Sequence, residues 1–295
     1  MGLILIFGAA GQVGRELAGL AKARNIGLRA VTHEDVDIVS PDAVARIVEQ
    51  TRPHLIVNAA AYTAVDRAEQ ERERAEAVNA GGAENVALFA ARAEVPLLHL
   101  STDYVFDGTK HGSYVEADAV APLGVYGATK LRGEVLVRAA NRDAIIVRTA
   151  WVYGQYGNNF LKTVLRLATS RDRLQIVGDQ HGCPTATLDI AEAILAVDRA
   201  ILEGRSYRGI FHFAGDGATT WHGFAEAIVD CQAKWTHRRP AVEAITTAEY
   251  AAPAPRPANS RLDSGLFART FGYRAKPWQV RTREIVDILL TKAIG

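Results

Sequence analysis

Only two cysteines, Cys183 and Cys231, occur in 295 residues, and they form no C-x-x-C pair. Two such thiols cannot build a disulfide framework, so nothing asks for an oxidising compartment, and both are expected to be free and largely buried. Long apolar runs are equally scarce. The opening stretch Leu3–Phe7 has no basic residue before it and stops at Gly8, too short for a membrane span and unlike a signal peptide. No charge of one sign dominates. Thirty-four Lys and Arg face 33 Asp and Glu, a formal charge of +1, which argues against the basic footprint of an unspecific nucleic-acid binder or a polybasic membrane patch. The eight histidines show no H-E-x-x-H or comparable zinc pattern. The expectation is a soluble cytoplasmic protein with no nucleic acid and no membrane as partner.

What is present has the balance of a globular chain, 48% hydrophobic and 23% charged, with length enough for two modest domains or one large one. Leu3–Phe7 is continuously apolar and ended by glycine, as a parallel strand covered on both faces should be. A helix follows from Gly11, with Val13, Leu17, Leu20 and Ala21 on one face and a stop at Asn25 and Gly27. Leu28–Val31 reads as the second strand. Ser40-Pro41-Asp42 then combines an N-cap, a first-turn proline and a first-turn acid ahead of Val44, Ile47 and Val48. The alternation continues through a strand Leu55–Val57, a helix Arg72–Arg92, a strand Pro96–Leu100, a helix from Val125 and a strand Ala144–Val152. This order predicts an α/β fold, a Rossmann-type doubly wound parallel sheet with right-handed crossovers. Further on come a helix Phe160–Ala168, a strand Leu174–Val177, a helix Leu188–Leu202, a strand Ile210–Phe213 and a helix Trp221–Lys234. Prolines at 240, 253, 255 and 257 mark an irregular stretch before a terminal helix Val280–Lys292.

Gly8-Ala9-Ala10-Gly11-Gln12-Val13-Gly14 follows the first strand and opens the first helix. Glycines there let the backbone turn sharply and approach a pyrophosphate, whose charge meets free N–H groups at the helix start. A nicotinamide dinucleotide is the expected cofactor. Acids Glu34 and Asp35 near the end of strand two would suit the ribose of NADH, and Arg15 the extra phosphate of NADPH, so the choice stays open. Tyr126-Gly127-Ala128-Thr129-Lys130 begins a helix, and positions i and i+4 share one face, so phenol and ammonium can point into one cleft. A neighbouring cation should lower the phenol pKa from its usual value near ~10. Thr102 follows strand Pro96–Leu100, at the carboxyl ends where ligands bind in such sheets, and its hydroxyl can donate to a carbonyl oxygen that gains charge.

Y-x-x-x-K with an upstream Thr and G-x-x-G-x-x-G resembles the extended short-chain dehydrogenase/reductases. Runs outside that shared core narrow the resemblance to the dTDP-4-dehydrorhamnose reductases: Asn58–Asp66, Ser101–Phe106, Arg148–Tyr153, Gly157–Phe160, Asp179–Gly182 with Pro184-Thr185, and Arg256–Leu262. The resemblance spans nearly the whole chain. It implies reduction of the C4 ketone of dTDP-4-dehydro-L-rhamnose by NADPH or NADH, with Tyr126 as proton donor, Lys130 tuning it and holding the nicotinamide ribose, and Thr102 on the ketone oxygen. It places Gly8, Gly11, Gln12, Val13, Gly14, Asp37, Ile38, Ala61, Tyr62 and Thr63 along the dinucleotide, with Asp103 and Trp151 on the sugar nucleotide. Arg256 and Arg261 suit its diphosphate, a bidentate task for a guanidinium, with Asn259 beside them. Another sugar-nucleotide epimerase or reductase, or a non-catalytic NADP-binding regulatory subunit, would share the cofactor elements. The expected division is a dinucleotide-binding domain over 1–150, rejoined by about 186–214, and a smaller C-terminal α/β substrate domain from 151–185 and 215–295. The resemblance also allows a homodimer and Mg²⁺ between subunits. Glu16 and Glu192 could supply two ligands, but Ile288 stands where a third would align, so no dedicated metal site is expected.

Overall fold

A computed structural model describes residues 2–294. Six parallel strands form the central sheet: β1 (Leu3–Phe7), β2 (Gly27–Val31), β3 (Leu55–Asn58), β4 (Leu97–Thr102), β5 (Ile145–Thr149) and β6 (Gly209–His212), in the order β6-β5-β4-β3-β1-β2. The order reverses between β1 and β3, which opens a crevice at their carboxyl ends. Side chains alternate across each strand. From β1, Ile4 and Ile6 pack with Leu17 and the helix Thr187–Leu202, whereas Leu5 and Phe7 pack with the helices Pro41–Thr51 and Ala83–Arg92. Both faces are therefore covered, which is why the strand carries no polar residue. Ser40 caps its helix through Ala43 N, with Pro41 at the first helical position, as the local sequence requires.

Two sequence expectations need correction. The strand expected over Ala144–Val152 stops at Thr149, because Trp151 adopts φ 45° and turns the chain away. Val152–Tyr153 pairs instead with Thr185–Ala186, outside the main sheet. The helix expected over Arg72–Arg92 carries a π-helical stretch, Ala77–Gly82, in its middle, a distortion common beside functional sites.

A separate core lies beyond the sheet. Trp151, Tyr153, Leu161, Val164, Phe224 and Ile228 pack among the helices Phe160–Ser170, Trp221–Thr236 and Trp278–Ile294. One buried ion pair ties the last of these helices to Thr187–Leu202 under the sheet. Arg281 donates to both oxygens of Asp189, Nε at 2.9 Å and Nη2 at 2.6 Å, and Tyr273 adds its hydroxyl at 2.8 Å. Asp189 is fully buried and Arg281 nearly so. Asp189→Ala strips the buried Nε and Nη2 of Arg281 and the Tyr273 hydroxyl of their acceptor and leaves Arg281 only the part-exposed Glu284, 2.6 Å from Nη1, so it should cost about 3 kcal/mol of unfolding free energy. Asp143→Ala, which removes an exposed partner of Arg208, should cost under ~1 kcal/mol. Urea denaturation of the two variants reads the contrast.

Candidate active site

The glycine run forms a turn at the crevice between β1 and β3. Gly8 has φ 83°, and Gly11 N closes the turn on Gly8 O at 3.0 Å. A Cβ on Gly8 would lie 2.6 Å from Ala60 N, and one on Gly14 would lie 2.5 Å from Gly8 O. Only glycine permits this backbone packing. Gly11 brings no capping side chain to the helix Gln12–Ala23, so the first amides face outward at its positive end, the donor set a pyrophosphate requires. These residues fit a dinucleotide. Val13 turns inward against the core beside β1. Gln12 reaches the other way, its Oε1 accepting from Asn159 Nδ2 at 2.9 Å.

Ala61, Tyr62 and Thr63 lie on the loop after β3. Asn79, inside the π-helical stretch, holds this loop: its Oδ1 accepts from Tyr62 N at 2.8 Å and its Nδ2 donates to Tyr62 O at 3.1 Å. The same Nδ2 reaches Thr129 Oγ1 at 3.1 Å, between Tyr126 and Lys130. Asp37 and Ile38 sit beyond β2. Asp37 is half exposed and accepts from Val39 N, while Ile38 is buried and its carbonyl accepts from Asn85. Asp35, considered for the ribose, folds back onto Thr32 N and Oγ1, both at 2.8 Å, and His33 stands largely exposed beside it.

The helix Val125–Ala140 brings Tyr126 and Lys130 to the end of β4, where Thr102 sits. Lys130 is buried and donates from Nζ to Leu100 O at 2.7 Å. Burial pulls its ammonium down to about 8, with Glu134 holding it up. The Tyr126 phenol is pushed up to about 12 by burial, against the pull of the neighbouring Thr102 hydroxyl. This corrects the expectation of a lowered phenol: desolvation outweighs any help from Lys130, whose own charge is tethered to the strand. Tyr104 packs edge to face on Tyr126, with centroids 5.9 Å apart. Asp103 is buried next to Thr102, its Oδ1 3.1 Å from Thr102 Oγ1. Burial raises its carboxyl to about 7, opposed by Ser260 and Thr102.

Behind this face runs a polar row that the sequence reading missed. Ser101, Arg148 and His212 share one register across β4, β5 and β6. Arg148 binds Glu134 through two nitrogens, at 2.9 and 2.7 Å, and Ser101 donates to the same carboxylate. His212 Nε2 lies 3.5 Å from Arg148, and burial holds its imidazole down at about 4, uncharged. An arginine and a histidine inside otherwise apolar strands were the available signal.

The proposed sugar-nucleotide residues divide. Trp151 is buried and stacks on Trp221 at 3.5 Å and 5°, while Trp221 donates to Gln180. Arg256 is engaged by both oxygens of Asp66 at 2.9 Å, and Asp66 also accepts from Ala254 N. Its charge is thus already paired in this arrangement. Asn259 donates to Lys110 O and Gly112 O, both at 2.7 Å, and accepts from Arg261 Nε at 2.8 Å. Those two act as braces of the loop. Glu69, Tyr104, Gly124, Tyr126 and Pro255 line a narrow opening at the start of the helix Val125–Ala140.

The acids considered for Mg²⁺ are committed elsewhere. Glu16 accepts from Thr187 at 2.6 Å and Gln155 at 3.1 Å, Glu192 pairs with Arg24, and Ile288 is part exposed. Among the described residues no three His, Cys, Asp or Glu side chains converge as ligands. These groups do not fit a Mg²⁺ site.

With this geometry in place, similarity to known proteins is informative. The family model for the RmlD substrate binding domain matches residues 1–291. A dTDP-4-dehydrorhamnose reductase from Sinorhizobium fredii is 43% identical over 289 residues, 97% of each chain. The crystal structure of a dTDP-4-dehydrorhamnose reductase from Clostridium acetobutylicum matches with a TM-score of 0.90 at 38% identity, covering 97% of this chain and 99% of that one. The same enzyme from Bacillus anthracis, solved in complex with NADP, gives 0.89 at 34% identity over 97% and 99%. Glycine turn, Tyr–Lys helix and C-terminal loops all fall within the matched length, and the chain belongs to the RmlD substrate binding domain family.

Proposed function

We propose that this chain reduces the C4 ketone of dTDP-4-dehydro-L-rhamnose to dTDP-L-rhamnose, with NADPH or NADH as reductant. The observation that carries the reading is the meeting of Thr102, Tyr126 and Lys130 at the carboxyl end of β4, on the same edge of the sheet as the glycine turn that follows β1. The bound dinucleotide supplies the hydride. Gly8, Gly11 and Gly14 would bring backbone amides to its pyrophosphate, Gln12 and the Val13 amide would flank it while the Val13 side chain stays in the core, and the Asp37-Ile38 and Ala61–Thr63 segments would border the rest. Lys130, cationic below about pH 8, holds the nicotinamide ribose hydroxyls.

Thr102 donates a hydrogen bond to the ketone oxygen as it gains charge. Tyr126 then gives its phenolic proton to the alkoxide, and solvent reprotonates the tyrosinate. A phenol raised to about 12 is fully protonated at neutral pH, the state an acid must start from, and is still a stronger acid than a simple alcohol. Asp103 and Trp151 would meet the sugar nucleotide, and Arg256 and Arg261 its diphosphate, Arg256 on exchanging its bond to Asp66 for the ligand. Asn259 supports that loop. The six-stranded unit would hold the dinucleotide, and residues 151–185 with 215–295 the sugar nucleotide. Among the described residues no helix is long and apolar enough to cross a membrane. A cytoplasmic homodimer completes the reading.

Tyr126→Phe should lower kcat by about 10²-fold or more, with NADPH affinity nearly unchanged, since only a proton donor is lost. Oxidation of NADPH in the presence of dTDP-4-dehydro-L-rhamnose is the assay, and an undiminished rate overturns the role of Tyr126. Gly14→Val should abolish dinucleotide binding measured by nicotinamide fluorescence, because a branched side chain collides with Gly8 O and Ala9. Retained binding would remove the glycine turn from the cofactor site.

A further inference from the structure

We propose that Asp103 is a positioning residue that decides where the single hydrogen of the Thr102 hydroxyl points, so that Thr102 can donate to the substrate ketone only while Asp103 is protonated. This inference rests on the reductive reading of Thr102, Tyr126 and Lys130. Thr102 Oγ1 accepts from Tyr104 N at 3.2 Å, lies 3.1 Å from Asp103 Oδ1, and adjoins the Tyr126 phenol. An ionised carboxylate can only accept. It therefore captures the Thr102 hydrogen, and the hydroxyl shows nothing but lone pairs to Tyr104 and to the cleft. A protonated Asp103 reverses the bond. Its O–H donates to Thr102 Oγ1, which still accepts from Tyr104 N, and the threonine hydrogen is released towards the ketone.

The surroundings hold Asp103 near that change. Its side chain is almost wholly buried and Oδ2 has no partner at close hydrogen-bond distance, while the Ser260 hydroxyl and the amides of Asp103 and Tyr104 favour the charged form too weakly to offset the burial. The groups that face it are Thr102 from β4, Tyr104 from the following turn, Tyr126 from the helix Val125–Ala140, Ser260 from the C-terminal loop and the Cys183 thiol. All of these are neutral near pH 7. The charged groups stand one layer away: Arg256 reaches Tyr104 but is bound to Asp66, and Arg261 and Asp216, of opposite sign, act on Cys183. With burial unopposed by a direct cation, the carboxyl rises to about 7. Thr102 is then a donor on the acid side of neutrality and loses that role on the alkaline side.

The test is kcat against pH at saturating sugar nucleotide and NADPH. Wild-type kcat should fall by about tenfold or more as pH rises through about 7, the effect of losing one of two donors at the developing oxyanion. A second fall near about 8 belongs to Lys130. Asp103→Asn, whose amide donates to Thr102 at every pH, should lose the lower step, so that its kcat, whatever its height, stays level from the acid side up to the Lys130 range. NADPH binding of the variant checks that it folds. Thr102→Val should be slow throughout and lack the lower step. A lower step that survives in Asp103→Asn, or a wild-type profile flat up to the Lys130 range, overturns the proposal. If NADPH binds and no sugar nucleotide is reduced at any pH, the reductase reading fails instead. The carboxyl ¹³C shift of Asp103 then decides by itself: titration near neutrality supports the proposal, and a carboxylate ionised from about pH 5 upward overturns it.

Discussion

The buried pair of Glu134 and Arg148 is the constraint on which the candidate site hangs. Both side chains are about 2% exposed, so neither charge can be left without the other. Arg148 stands on β5 in register with Ser101 and His212, and Glu134 stands one helical turn beyond Lys130. Satisfying the pair therefore sets the rotation and height of the helix Val125–Ala140 over the sheet. Lys130 repeats the lock one turn earlier by donating to Leu100 O. Once the helix is held at those two levels, Tyr126 has little choice but to meet Thr102 at the mouth.

Burial, more than pairing, sets the protonation states at that mouth. The phenol and the carboxyl of Asp103 are both raised and the ammonium is lowered, each first of all by desolvation. The shared direction is towards the uncharged form. A site in this condition starts with its proton on the donor, where reduction needs it. The cost of drying these groups is offset by their polar contacts to strand carbonyls, amides and hydroxyls.

Local chemistry carried much of the fold into legible sequence. The apolar run of β1, the Ser40-Pro41-Asp42 helix start and the glycine turn each obey rules that act within a few residues, and each was readable. The turn at Trp151 was not, since a positive φ at a bulky residue is imposed by the stack with Trp221, 70 positions later. The π-helical stretch was hidden for a similar reason. Asn79 must face both the Tyr62 loop and Thr129, a demand that periodicity does not encode. Arg256 looked free for a phosphate because its partner, Asp66, is remote in sequence and near only in space.

By itself the sequence determined the strand and helix alternation, the glycine cradle and the i, i+4 relation of Tyr126 and Lys130, because these follow from backbone sterics and helical pitch. Tertiary structure alone decided how those groups ionise and which are already spoken for. Desolvation and hydrogen bonding between distant segments exist only once the chain has packed, and they turned a phenol expected to be acidic into one that holds its proton.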